Sequence, residues 1–130
     1  MWRLRHLPPR IPPENPLELG AWGEAVAVRH FWKQGWRILE RNYVYGKAEI
    51  DVIAEDHGEL VILEIRTRVD PNVHPSETIT ARKSEKISQA AHQYIQRHCA
   101  GCQHFRFDTA SVIVAADRRS YVIDHQRAMF

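Results

Sequence analysis

Several features that define large protein classes are scarce or missing in this chain. No apolar run approaches the length of a bilayer span, and the first residues lack a signal-peptide core, so a cytoplasmic protein with no membrane partner is expected. An excess of one charge is also missing. Eighteen Lys and Arg against sixteen Asp and Glu leave a formal net charge of +2, which excludes a generally basic, histone-like binder. Cysteine is confined to Cys99 and Cys102, in a single CAGC. A structural zinc site needs four ligands and there is no second CxxC; packing His98 and His104 around this pair would strain the geometry. A redox pair would ordinarily open a helix after a strand, whereas this one follows a helical pattern. Two free thiols are expected. The chain also carries no repeats, no low-complexity segment and no sign of a second domain.

What remains is a soluble-type composition over 130 residues, enough for one packed core. Residues 1–14 are Pro-rich and basic, with Arg3, Arg5, Arg10 and Trp2, and no helical or strand period. They are expected to form a tail; the alternative is an arm that touches phosphate or a neighbouring subunit. Residues 15–130 are expected to be one domain.

The stretch Ala48 to Arg68 organises that domain. Ala48 to Ala54 and Leu60 to Arg66 are short, branched and apolar, and read as two strands. Glu55 to Glu59 is the turn between them, with Gly58 available for positive φ. Period-two alternation puts Glu49, Asp51 and Ile53 on one face, and Ile62, Glu64 and Arg66 on one face of the partner. Closure around His57 brings Asp51 within about one residue of lying opposite Glu64. Three carboxylates and a guanidinium then crowd one patch. Like charges across a ladder are destabilising, and Glu64 interrupts a run that a buried strand would keep apolar. The bland reading is a wet polar face; Glu64-Ile65-Arg66 tips the balance to a metal site. Asp51 and Glu64 supply the hard oxygen ligands that Mg²⁺ or Mn²⁺ prefers, with Glu49 beside them.

The flanking elements follow from local signals. Asn15 can cap a helix with Pro16 at its first position and Glu18 reaching back, running to about Gln34 with Gly35 as its stop. Ala21, Ala25, Val28 and Trp32 are read as its apolar stripe, with Trp22 and Val26 beside it. Glu24 lies near that stripe's edge, either as a solvated flank or leaning over the sheet towards the carboxylates. Trp36 to Tyr45 reads as a strand, and Gly46-Lys47 as a turn. Val69 to Glu77 is a loop placed to contact substrate. Thr80 can cap a second helix reaching about His98, whose buried stripe is Ile87, Ala90, Ala91, Tyr94 and Ile95. Lys83 stands four residues before Ile87; it either snorkels to solvent or brings a cation to the carboxylates. Phe105 to Ala115 and Tyr121 to His125 are the last two strands. The order α-β-β-β-α-β-β predicts an α/β domain with a mixed sheet of about five strands flanked by helices.

Read together, Gly20-Ala21-Trp22-Gly23-Glu24, Asn42, Glu49-Ile50-Asp51-Val52-Ile53 and Leu63-Glu64-Ile65-Arg66-Thr67-Arg68 resemble the YraN-like proteins of bacteria. Lys83, Arg106-Phe107-Asp108 and the final Ala128-Met129-Phe130 extend the likeness, which covers all but the Pro-rich start. That family is similar to archaeal Holliday-junction resolvases and, more widely, to the restriction-endonuclease-like PD-(D/E)xK nucleases. The resemblance implies a restriction-endonuclease-like core and metal-dependent attack on DNA phosphodiesters at branched or structured DNA. By position, Asp51 matches the motif aspartate, Glu64 the following acid, and Glu24 a helix-borne acid of resolvase relatives. A resolvase acts on two strands, so a homodimer is implied.

Two positions depart from the pattern. Arg66 stands where the superfamily has lysine; it stays charged, so it can hold a phosphate but cannot act as a base, and Lys83 is the nearest replacement cation. Ala48 stands where a glycine is expected.

The leading expectation is therefore a nuclease using Mg²⁺ or Mn²⁺ held by Asp51 and Glu64, with Glu24 and Glu49 in support. A non-catalytic nucleic-acid-binding module is the alternative, gripping phosphates through Arg66, Arg68, Arg82, Lys83 and Lys86. A partner-binding protein using Trp2, Trp36 and the tail is a third reading. The clustered acids argue against it.

Overall fold

The structure is a computed structural model that describes residues 11–69, 81–98, 101 and 104–129. Its first element is fixed by its cap. The Asn15 side chain accepts from the backbone N–H of Leu17 at 2.9 Å and of Glu18 at 3.3 Å, with Pro16 following at the first helical position. Helix α1 runs Pro16–Lys33, and Gly35, at φ 95°, lets the chain leave it.

Three antiparallel strands follow: β1 (Arg37–Tyr45), β2 (Ala48–Asp56) and β3 (Glu59–Val69). The β2–β3 turn is tighter than the sequence suggests, because only His57 and Gly58 lie outside the strands. Their φ values of 50° and 91° are the pair of positive angles that a two-residue hairpin turn demands. Helix α2 (Ala81–His98) then carries the chain across the sheet, so β4 (Arg106–Val114) pairs parallel to β3. Strand β5 (Tyr121–Gln126) returns antiparallel to β4, completing a five-stranded sheet in the order β1-β2-β3-β4-β5. The expected α/β domain and element order are both present.

One helix packs on each face. Trp22, Val26, Ala27 and Phe31 of α1 bury against Val52, Leu63, Ile65 and Val112. Ile87, Ala90, Ala91, Tyr94 and Ile95 of α2, the stripe read from sequence, bury against Ile53, Ile62 and Phe107.

The stripe expected on α1 needs correction. Trp32 is 47% exposed and Ala21 is exposed, whereas Gly23, Ala27 and Phe31 are buried. The buried face is turned because α1 approaches β3 at a glycine. A Cβ on Gly23 would lie 1.8 Å from Oγ1 of Thr67, a separation no side chain allows. Close approach there selects Gly23 and its i+4 and i+8 neighbours as the buried line, a choice that apolar periodicity cannot rank.

Strand β2 also departs from simple alternation. Val52 joins the core under α1 and Ile50 the core under α2, although two residues apart should share a face. Arg41 pairs with Val52 and Tyr43 with Ile50, and between them Asn42 takes a φ of 53°. Asparagine tolerates this left-handed conformation better than most residues. The face reversal therefore falls at Asp51.

Residues 1–10, the expected loop beyond Val69, the expected cap Thr80, Cys99 and Cys102 lie outside the described residues. Among the described residues no helix is long and apolar enough to cross a membrane.

Candidate metal centre and flanking cationic clefts

The β2–β3 ladder runs from Asp56–Glu59 to Val52–Leu63 and stops there, so Asp51 and Glu64 are the first residues beyond its last pair. Beyond that point β3 continues beside β4 as far as Val69. The Asp51 carboxylate takes over where the ladder stops, accepting from the backbone N–H of Ile65 at 2.8 Å. Asp51 is thereby held where the ladder ends, in the same cleft as Glu64.

Glu64 is the more constrained of the two. Its side chain is 13% exposed and one oxygen, Oε1, is ion-paired with Nζ of Lys83 from the first turn of α2. The other oxygen, Oε2, is buried with no hydrogen-bond partner among the described residues. A buried carboxylate oxygen without a donor is costly, and native proteins rarely keep one without a use for it.

Two open clefts meet at this point. The first, of about 680 Å³, is lined by Glu49, Asp51 and Glu64 together with Lys47, Arg82, Lys83 and Lys86. The second, of about 520 Å³, is lined by Glu24, Glu49 and Asp51 with Asn42, Arg66 and Arg68. Every candidate residue from the sequence lines one of them, and Glu49 and Asp51 line both. The structure splits the group: Glu64 shares its cleft with the α2 cations, and Glu24 shares the other with Arg66 and Arg68. Glu24 leans over the sheet instead of standing out in solvent.

The acids feel one another. Burial pushes the Asp51 carboxyl up, the Ile65 N–H opposes that, and Glu24, Glu64 and Glu49 push it further, to about 6. Glu24 is also raised, chiefly by burial and in part by Glu49, with Arg41 opposing. This is the electrostatic condition that a divalent cation relieves.

Among the described residues no three His, Cys, Asp or Glu side chains converge closely enough to enclose an ion by themselves. The donor set is thus Asp51 and Glu64 where the ladder ends, with Glu24 and Glu49 lining the same clefts. Mg²⁺ is commonly held in this way, through one or two carboxylates with water and substrate phosphate completing its shell. Asp51 and Glu64 fit such an ion in donor type, charge and the unpartnered Oε2.

Sequence reasoning missed a second polar cluster. Asp108 is fully buried and accepts from Arg106 (Nε 2.9 Å, Nη2 2.8 Å), His125 Nε2 (2.8 Å) and the backbone N–H of Ala128 (3.0 Å). Arg106 reaches on to Asp56 at 2.9 Å and Glu59 at 2.7 Å. Burial alone would raise the Asp108 carboxyl, but the bonds from His125, Arg106 and Ala128 hold it below its ordinary value. None of these residues lines the two clefts. The cluster ties the β2–β3 turn, β4, β5 and the chain's end together, so Arg106-Phe107-Asp108 and Ala128-Met129 serve the fold. An apolar strand interrupted by Arg106 and Asp108 was the available signal.

A mixed five-stranded sheet between two helices, with Asp51 and Glu64 in one cleft where the β2–β3 ladder ends, defines an α/β domain consistent with a restriction-endonuclease-like core. Comparison with known proteins places it more narrowly. Residues 23–112 match the model of the Uncharacterised protein family UPF0102, and the chain belongs to that family, the YraN-like group its motifs resemble. A UPF0102 protein of Chlorobaculum parvum is 40% identical over 120 residues, covering 88% of this chain and 93% of its own length. One of Porphyromonas gingivalis is 35% identical over 112 residues (85% and 82%). One of Corynebacterium efficiens is 36% identical over 110 residues (83% and 88%).

Proposed function

We propose that this protein is a metal-dependent endonuclease that hydrolyses phosphodiester bonds of branched or structured DNA. The observation that carries the reading is that Asp51 and Glu64 line one cleft where the β2–β3 ladder ends, with Glu64 Oε2 buried and unpartnered among the described residues. A bound Mg²⁺ or Mn²⁺ supplies polarisation of the scissile phosphate, a more acidic attacking water and a stabilised leaving oxygen.

The chain's own groups do the rest. Asp51, anchored by the Ile65 N–H, and Glu64, on the rigid centre of the sheet, hold the ion. Glu24 and Glu49 stand where they can order water around it. Arg66 and Arg68 in one cleft, and Arg82, Lys83 and Lys86 in the other, offer cations on both sides of the acids. A polyanionic strand laid across the opening would therefore be gripped on either side of the bond that breaks. Arg66 serves as a phosphate clamp, since a guanidinium does not give up its proton.

The placement of Arg82 and Lys83 supports an anionic substrate independently. The first turn of α2 carries no acid and two cations, although the N-terminal end of a helix dipole favours negative charge. Such cations weaken the helix slightly and suit a phosphate that binds beside them.

The test is incubation with labelled four-way-junction, flap, single-stranded and linear duplex DNA, in Mn²⁺, Mg²⁺ or EDTA. Cleavage is expected with either metal, strongest on junction or flap, absent in EDTA and absent for Glu64→Ala. Binding that weakens with salt, with no cleavage of any substrate, would replace this reading with the non-catalytic binding module that Arg66 in the lysine position suggests.

A further inference from the structure

We infer that Lys83 is a stand-in cation for the metal: its ammonium neutralises Glu64 while the ion is absent and must leave when the ion binds. This rests on the metal-dependent reading and adds a role for Lys83 in setting metal affinity, separate from any contact with DNA.

The contact is asymmetric in a way that favours exchange. Glu64 is 13% exposed and fixed on a central strand, whereas the Lys83 side chain is 46% exposed on the outer turn of a helix. A buried carboxylate needs a counter-charge in every state of the protein. A half-exposed lysine, by contrast, loses little on swinging into water, because its ammonium rehydrates. Of the two Glu64 oxygens Lys83 pairs with Oε1, and Oε2 has no partner among the described residues, so the pair only part-fills what Glu64 can accept. A divalent ion at Asp51 and Glu64 would meet the ammonium at close range, and like charges repel strongly there.

Lys83 also lines the same cleft as Arg82 and Lys86, so the displaced ammonium has an anion site to go to once a phosphate occupies that cleft. Metal entry and phosphate capture by Lys83 would then favour each other, as linkage requires of two events that both release one contact. The placement explains why a lysine sits at a helix N-terminus, where helix stability disfavours it.

The experiment is calorimetric titration of the DNA-free full chain with Mn²⁺, using wild type, Lys83→Met, Lys83→Arg and Glu64→Gln. Lys83→Met is expected to bind Mn²⁺ about three- to tenfold more tightly than wild type, the gain being limited to the cost of breaking a half-exposed pair. Lys83→Arg keeps the competing charge and is expected to stay close to wild type. A thermal melt of each variant with and without Mn²⁺ gives a second readout. Mn²⁺ should raise the melting temperature of Lys83→Met more than that of wild type, because it replaces the missing counter-charge.

Equal or weaker Mn²⁺ binding by Lys83→Met, with binding still lost in Glu64→Gln, would overturn the exchange and leave the metal site standing. A tighter Lys83→Arg would do the same, since it would show that charge is not what competes. Absence of Mn²⁺ binding in wild type and Lys83→Met alike would overturn both the exchange and the metal-dependent reading.

Discussion

Asp51 concentrates the chemistry of the site in one side chain. Its carboxyl is raised to about 6, chiefly by burial and then by Glu24, Glu64 and Glu49, against the opposing Ile65 N–H. In the unfolded chain it would titrate near 3.8, so between those values the folded protein holds the extra proton. Stability from this group is therefore present at low pH and is lost as pH rises from about 4 towards 6. Asp51→Asn keeps an acceptor for Ile65 while removing the charge. It should stabilise the metal-free protein at pH 7 by about 1–3 kcal/mol and have no such effect near pH 4, read by denaturant unfolding at both values. A destabilised Asp51→Asn at pH 7 would mean that the acids are not in conflict. Metal binding should weaken as pH falls below about 6, since the ion needs the ionised carboxylate. That Asp51 and Glu64 come near each other was legible in the sequence, because a short polar turn fixes hairpin register to within about a residue. The face reversal at Asn42 was not, because apolar alternation alone does not reveal where a strand turns over.

The elements show the same division. The hairpin, both helix spans and the α2 stripe were readable because each has its own local signal: the positive-φ glycine turn, the Asn15-Pro16 start, the spacing from Ile87 to Ile95. The face of α1 was not readable, because it depends on Thr67 of β3, a residue 44 positions from Gly23 in the chain. That contact makes a sharp prediction. Gly23→Ala must push α1 away from β3 and should cost about 1–3 kcal/mol of stability, the usual penalty for overpacking, despite alanine's better helix propensity. Glu24 is the next residue and lines the cleft with Asp51, so metal affinity should fall alongside stability. A Gly23→Ala protein as stable as wild type, with unchanged Mn²⁺ binding, would show that the approach is looser than described.

For the molecule as a whole, the two polar centres have different duties. The Asp108 cluster satisfies every charge it buries and binds four parts of the chain to one another. The Asp51–Glu64 centre leaves like charges together and an oxygen unpartnered among the described residues. Asp108→Asn should therefore destabilise the protein by about 3–5 kcal/mol, because Arg106 and His125 lose their shared anion. The loss should appear in thermal or denaturant unfolding. With a carboxyl held below its ordinary value, the contribution of Asp108 is present above the unfolded value and fades as pH falls through the folded one. Sequence reading passed over this cluster because Arg106, Asp108, Asp56 and His125 meet only once β4 lies between β3 and β5.

The central claim is that Asp51 and Glu64 form the metal centre of a nuclease. Its most direct test is single-turnover cleavage of a four-way junction in Mn²⁺ by wild type, Asp51→Asn and Glu64→Ala, each checked for native fold. The account predicts metal-dependent cutting by wild type and a loss of about 100-fold or more in both variants, as expected when a ligand of a catalytic ion is removed. Cutting that persists at the wild-type rate in either folded variant would contradict it.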